Sequence, residues 1–227
     1  MSKANSTVVP IDRVQSLRKL VEDALASAIV SGEMAPGELF SAPTLAQQFE
    51  VSTTPVREAM LNLEKRGLVE AVRNKGFRVT GVSAEELQDI VDVRLMLEPA
   101  AMKRLAGTIA LDALPALRDK AAAIAAGAER GDLGAYLVAD AAFHNALTAM
   151  LGNDRLAEIV ADLRAKTRLP GLSSMLASEE LRVSALEHHE LLELLEAGNG
   201  DEAEALMRRH IGHAVGWWAG RPESDAD

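Results

Sequence analysis

The stretch Ser52-Thr53-Thr54-Pro55-Val56-Arg57-Glu58-Ala59-Met60, followed by Leu63, Gly67-Leu68-Val69 and Asn74-Lys75-Gly76-Phe77, restricts the fold more than any other part of the chain. Thr54 is read as the cap of a helix whose first residue is Pro55, a position where the fixed φ of proline helps and no hydrogen bond is lost. Val56, Ala59, Met60 and Leu63 recur at helical spacing, giving one face to bury and leaving Arg57 and Lys65 off it. A helix at Thr44 to Phe49 precedes it, with Glu50-Val51 as the turn. After Gly67 come two short β-prone runs, Leu68 to Val72 and Phe77 to Thr80, joined by Asn74-Lys75-Gly76, whose residue types suit a tight turn. Helix, turn, helix and hairpin in this order predict a winged helix-turn-helix. In such a module the first turn of the second helix enters the major groove of DNA, where an arginine can donate two hydrogen bonds to guanine O6 and N7. Arg57 lies in that turn.

Net charge argues against a polyanionic partner only until it is split by segment. The chain carries −10 overall, but residues 1–80 hold ten basic and nine acidic side chains, so the acid belongs to the remainder. Within 51–80 the balance is six basic (Arg57, Lys65, Arg66, Arg73, Lys75, Arg78) to three acidic. That surface is locally positive but modest, and phosphate neutralisation supplies most non-specific affinity, so two copies on a two-fold symmetric double-stranded operator are expected. The chain is therefore expected to act as a homodimer.

With 227 residues and 48% hydrophobic content the chain suits two domains with well-filled cores. The absence of cysteine excludes disulfides and thiolate-bound metal. No apolar run approaches the roughly 18 residues of a membrane span, and no secretory leader pattern opens the chain. A cytoplasmic protein without membrane contact is expected. Residues 1–12 read as a flexible arm, 13–80 as the DNA-binding domain, 83–218 as a helical effector domain and 221–227 as a solvated tail. Ser83-Ala84-Glu85-Glu86 has capping-box spacing, and helical patterns follow over about 83–106, 111–128, 132–151, 154–168, 178–197 and 201–218. Nothing in this half reads as a strand. The fold class is mainly α: a winged helix-turn-helix followed by an all-α antiparallel bundle, whose interior is the natural place for a ligand or metal.

Three helices of that bundle carry polar residues on their apolar stripes. Leu133, Leu137, Asp140, His144, Leu147 and Leu151 share one face; Leu181, Ala185, His188, Leu192 and Leu195 form a second; Ala203, Met207, His210, Ala214 and Trp217 form a third. A buried unpaired polar group costs about 1 to 3 kcal/mol, so Asp140, His144, His188 and His210 must meet partners. One economical partner is a divalent ion. Three neutral imidazoles and a carboxylate suit Zn²⁺, with Ni²⁺ or Mn²⁺ as alternatives, and leave coordination positions for water or a ligand oxygen. A hydrogen-bonded histidine cluster is the competing reading. His189 and His213 fall off the stripes and are expected in solvent. Arg94, on the inner face of the first bundle helix, either pairs with Glu98 at i, i+4 or grips a carboxylate ligand bidentately.

Gly37-Glu38-Leu39, Leu45-Ala46, Val51-Ser52, Thr54-Pro55-Val56-Arg57-Glu58-Ala59, Leu63, Gly67-Leu68-Val69 and Gly76 together resemble the N-terminal domain of the GntR family of bacterial transcription regulators. Asp140-Ala141-Ala142-Phe143-His144, Asn153, Glu187-His188 and Met207-Arg208-Arg209-His210 resemble the C-terminal FCD domain of its FadR branch. The resemblance implies DNA contacts from Ser52, Thr53, Thr54 and Arg57 and from the wing residues Arg73, Asn74, Lys75 and Gly76. It also implies a metal held by Asp140, His144, His188 and His210, and a small organic or sugar acid as effector, for which Arg94 is the candidate clamp. Family members usually carry a base-reading arginine where this chain has Thr53, so the operator sequence should differ. The expected function is a regulator, in the sense of a repressor, whose operator affinity is set by that acid. The other readings are a metal-dependent hydrolase built on the same site, and a constitutive DNA-binding protein with a structural metal.

Overall fold

The computed structural model describes residues 17–167 and 178–216. The expected arm and tail, Pro170-Gly171 and Trp217 lie outside them.

Helix α1 (Leu17–Ser31) opens the DNA-binding part, followed by β1 (Leu39–Phe40), α2 (Ala42–Gln48), α3 (Thr53–Lys65), β2 (Val69–Val72) and β3 (Gly76–Val79). Neither α1 nor β1 was expected. Val21, Leu25 and Ile29 of α1 form a buried stripe against the face of α3 made by Val56, Ala59, Met60 and Leu63, each of which is fully buried. The three strands run in the order β1-β3-β2, antiparallel, with Leu39 opposite Arg78 and Val72 opposite Gly76. Gly76 stands at φ +127°, and a Cβ there would overlap the Phe40 carbonyl, so the wing closes onto β1 only with glycine at this position.

Helix α3 begins two residues earlier than the sequence suggests. Ser52 is its N-cap, without a side-chain cap bond, and Thr53 and Thr54 are its first two residues. Pro55 therefore occupies the third helical position, which is as permissive as the first because none of the leading N–H groups has an intrahelical acceptor. Helix α2 likewise starts earlier, at Ala42, where the Ser41 side chain accepts from Thr44 N–H at 3.2 Å.

Six further helices follow among the described residues: α4 (Ala84–Leu105), α5 (Leu114–Arg130), α6 (Leu133–Ala149), α7 (Asp154–Lys166), α8 (Glu179–Ala197) and α9 (Gly200–Gly212). No strand occurs among the described residues of this half. Ser83, Asp132, Asn153 and Ser178 each accept a backbone N–H three residues ahead, at 2.9 to 3.2 Å. Caps of this kind contribute typically ~1 kcal/mol apiece. Helix α4 contains Pro99, which cannot donate to the Leu95 carbonyl; a long contact from Arg208 Nη1 on α9, at 3.5 Å, reaches that oxygen instead. Helices α5 and α6 approach so closely that a Cβ on Gly127 would come within 2.8 Å of Tyr136 N. The core gathers Leu105, Leu117, Ile124, Tyr136, Phe143 and Leu147 with Leu195 and Met207. Helix α9 stops at Gly212, short of the expected 218. Helix α1 also packs on α6, so the DNA-binding part rests on the helix that carries Asp140 and His144.

Candidate functional site

Helix α6 supplies Asp140 and His144, α8 supplies His188 and α9 supplies His210. One donor atom from each of the four lies within 4.8 Å of the others. The three histidines are buried and Asp140 nearly so. His188 Nε2 is 3.1 Å from His144 Nε2 and 3.0 Å from Asp140 Oδ1, while His144 Nε2 is 3.6 Å from the same oxygen. The three apolar stripes thus converge as their spacing required.

The hydrogen bonding of the rings aims donor atoms at a common centre. His188 Nδ1 donates to the Ala185 carbonyl at 3.1 Å, which in a neutral ring leaves a lone pair on Nε2. Nε2 faces Asp140 Oδ1 at 3.0 Å, close enough for a ring proton to join them or for an ion to take both as ligands. Burial, reinforced by Arg164, pushes His144 well below the ordinary histidine range, and burial lowers His210 to about 4, so both rings are neutral near pH 7. Burial acts to raise Asp140, but the Arg164 guanidinium beside it counters burial, and the carboxyl lies well below its usual range. Three imidazoles and one carboxylate form a donor set that fits a divalent transition metal.

Three residues off the predicted donor stripes complete the site. Arg164 on α7 binds Asp140 Oδ2 through Nη2 at 2.7 Å and Glu98 Oε2 through Nη1 at 2.8 Å. Its signal was the face Leu156, Val160, Arg164, Thr167, of which Val160 and Thr167 are buried. Glu187 accepts from His210 Nδ1 at 2.8 Å and from His213 Nε2 at 3.0 Å. His213 is thus buried at 1% exposure, against the expectation of solvent, because it stands three residues after His210 and a three-residue step stays on nearly the same helix face. His189 is half-buried.

Arg94 is buried and bonded as the plainer reading required: Nε donates to Glu98 Oε1 at 2.6 Å and Nη1 to Thr167 Oγ1 at 3.2 Å. It nevertheless lines a cleft of ≈ 640 Å³. Arg94, Asp140 and Arg164 line that cleft together with Lys19 and Glu22 of α1 and Arg66. Glu22 in turn takes hydrogen bonds from Asn62 Nδ2 (3.0 Å) on α3 and from Arg66 Nη1 (3.1 Å) just after it, which joins the cleft wall to the second helix of the helix-turn-helix.

On the DNA-binding part, Ser52, Thr53, Thr54 and Arg57 are exposed at the start of α3, and Arg73, Asn74 and Lys75 at the wing tip, where Asn74 adopts φ 59°. Arg66 and Arg78 are occupied by Glu22 and Glu70. Arg57, Lys65, Arg73 and Lys75 have no carboxylate partner among the described residues. Arg57 at the start of α3, with Arg73 and Lys75 on the wing, suits a groove and its flanking phosphates, while Lys65 stands in the last turn of α3.

Residues 17–79 match the model of the bacterial regulatory proteins of the gntR family, and residues 89–213 match the FCD domain. The chain belongs to the GntR family, with FadR-type architecture. The Nta operon transcriptional regulator of Aminobacter aminovorans is 31% identical over 80% of this chain and 85% of its own length. A probable D-xylose utilization operon transcriptional repressor of Paenarthrobacter nicotinovorans is 30% identical over 84% of each chain. Among solved structures, E. coli McbR/YncC shares the fold, with a TM-score of 0.74 at 24% identity over 90% of this chain and 98% of that one. This GntR-family protein is a DNA-binding transcription regulator and not an enzyme, which sets the hydrolase reading aside. No helix among the described residues is long and apolar enough to cross a membrane.

Proposed function

We propose that this regulator is a cytoplasmic homodimeric repressor that leaves its operator, and with it the nucleoid, when a small carboxylate binds beside a zinc ion held by Asp140, His144, His188 and His210. The observation that carries the reading is the convergence of four donors from three helices next to a cleft walled by α1. Zinc fits the three-imidazole, one-carboxylate set and keeps positions for a ligand oxygen. It would supply a Lewis-acidic anchor; the chain's own residues hold and orient the acid. Arg94, fixed by Glu98 and Thr167, is the candidate clamp for the ligand's carboxylate. A ligand in the cleft has the DNA-binding part as one wall, so its binding energy can bias how the α3 helices are presented to a two-fold operator.

A thermal-shift screen of organic and sugar acids on zinc-loaded protein, followed by operator titrations, tests this reading. At least one acid should raise Tm and weaken operator binding, and Arg94→Lys, which keeps the charge beside Glu98 but loses the planar fork, should lose both responses while retaining zinc. Operator affinity that no acid alters, or an unchanged response in Arg94→Lys, would remove the assignment of the cleft or of Arg94 respectively.

The DNA contacts separate by type. Arg57→Ala should cost about 1 to 3 kcal/mol on the operator and flatten sequence preference, whereas Lys75→Ala should weaken all DNA alike and reduce the salt slope by about one. Equal losses on operator and random DNA for Arg57→Ala would contradict a base-reading role.

A further inference from the structure

Glu187 is buried, charged and one residue before His188, yet it meets the centre from behind the His210 ring. Its Oε2 accepts from His210 Nδ1 at 2.8 Å and from His213 Nε2 at 3.0 Å, and its Oε1 accepts from Arg209 Nε at 2.9 Å. The carboxylate is therefore gripped by three donors, which lock its rotamer. With donors on both of its oxygens, the carboxylate stands toward these side chains as an acceptor. An acceptor opposite Nδ1 requires the proton on Nδ1 and makes Nε2 the nitrogen left to bind an ion.

We propose that Glu187 is a positioning residue for the metal centre: by accepting the Nδ1–H of His210 it fixes both the ring orientation and the tautomer that present the Nε2 lone pair to the ion. The proposal rests on the reading that the four-donor cluster holds a metal. His188 needs no such carboxylate, because the Ala185 carbonyl on its own helix performs the same task. His210 has Glu187 for this, reached across from α8 to α9, so one dipeptide, Glu187-His188, contributes a ligand and orients another. A carboxylate behind an imidazole also raises the basicity of the ring and with it metal affinity.

The test uses the full-length protein stripped of metal by chelator. In wild type, nitrogen-resolved NMR of the histidine rings should find His210 protonated on Nδ1 and bare on Nε2, and competition titration should give one Zn²⁺ site. Glu187→Leu removes the acceptor and should raise the zinc Kd by roughly 10- to 100-fold, with His210 moving to a mixture of tautomers and His188 unchanged. Glu187→Gln, close to isosteric, should give a smaller loss in the same direction and serves if the leucine variant fails to fold. Glu187→Asp, which restores the charge at a shorter reach, should recover part of the affinity. Zinc affinity within twofold of wild type in folded Glu187→Leu or Glu187→Gln, or His210 carrying its proton on Nε2 in the wild-type protein, overturns the proposal. A wild-type protein that takes up no zinc overturns the metal reading itself, and that outcome is distinct from the others.

Discussion

Arg164→Met should destabilise the metal-free protein by about 3 to 5 kcal/mol, the largest loss expected from any single substitution away from the apolar core. Its side chain is 9% exposed and its guanidinium satisfies two carboxylates at once, Asp140 from α6 and Glu98 from α4. Methionine replaces the volume but leaves Asp140 without its cation and Glu98 with Arg94 alone. Breaking a buried pair in this way strands charge, which costs far more than the pair contributes relative to an apolar substitute. For a chain of this length the loss corresponds to a Tm lower by roughly 10 °C. The difference should depend on pH. Burial opposes ionisation of Glu98, but Arg94 and Arg164 bring its carboxyl from an ordinary 4.5 down to about 2. A depressed carboxylate stabilises the folded state fully above its unfolded value and loses that contribution as pH falls toward the folded one. The gap between wild type and Arg164→Met should therefore be widest above pH 4.5 and should narrow between there and pH 2. Urea titrations at neutral and acid pH measure it; a Tm within 2 °C of wild type, or a gap that widens in acid, would show that Arg164 does not hold the two carboxylates as described.

His188→Ala and His210→Ala should each reduce bound zinc from one ion per chain to a small fraction. Each removes one of the four donors that converge on the site, and the loss of a ligand lowers affinity directly. Asp140→Ala and His144→Ala should behave alike, since all four act on one ion. His189→Ala is the control: adjacent in sequence to His188 but half-buried and outside the cluster, it should leave zinc content unchanged. The metal-dependent rise in Tm should vanish with the metal, because an ion bound only by the folded state stabilises it in proportion to RT ln(1 + [L]/Kd). Stoichiometric zinc in both His188→Ala and His210→Ala would dissolve the site.

What the sequence made legible follows the range of the interactions involved. The face of α3 and the stripes bearing Asp140, His144, His188 and His210 are local periodicities, and a periodicity says which side of a helix turns inward whatever lies opposite. The wing was legible from turn chemistry at Asn74-Lys75-Gly76. Strand β1 was not, because a two-residue strand has no period to read and exists only through its pairing with β3. Helix α1 did have a pattern, Val21, Leu25 and Ile29, and reading it alone would have found the helix but not its place on α6. Arg164 and Glu187 escaped for a different reason. A charged residue beside an apolar stripe reads as solvated unless its counter-charges are known, and theirs come from other helices. His213 stands one position off the α9 stripe and turns inward through its bond to Glu187 on α8, which a single-helix pattern does not show. The start of α3 slipped by two residues because proline is tolerated throughout a helix's first turn, so Pro55 marks a beginning without fixing it.

The most direct test of the metal-centred account is a zinc titration of chelator-stripped, full-length wild-type protein, with bound metal counted per chain by elemental analysis and Tm followed at each step. The account predicts saturation at one ion per chain, with Tm rising until the site fills and falling back on chelation. A titration that leaves Tm flat, with less than a tenth of an ion retained per chain, would contradict it and reduce the four converging side chains to a hydrogen-bonded core of the bundle.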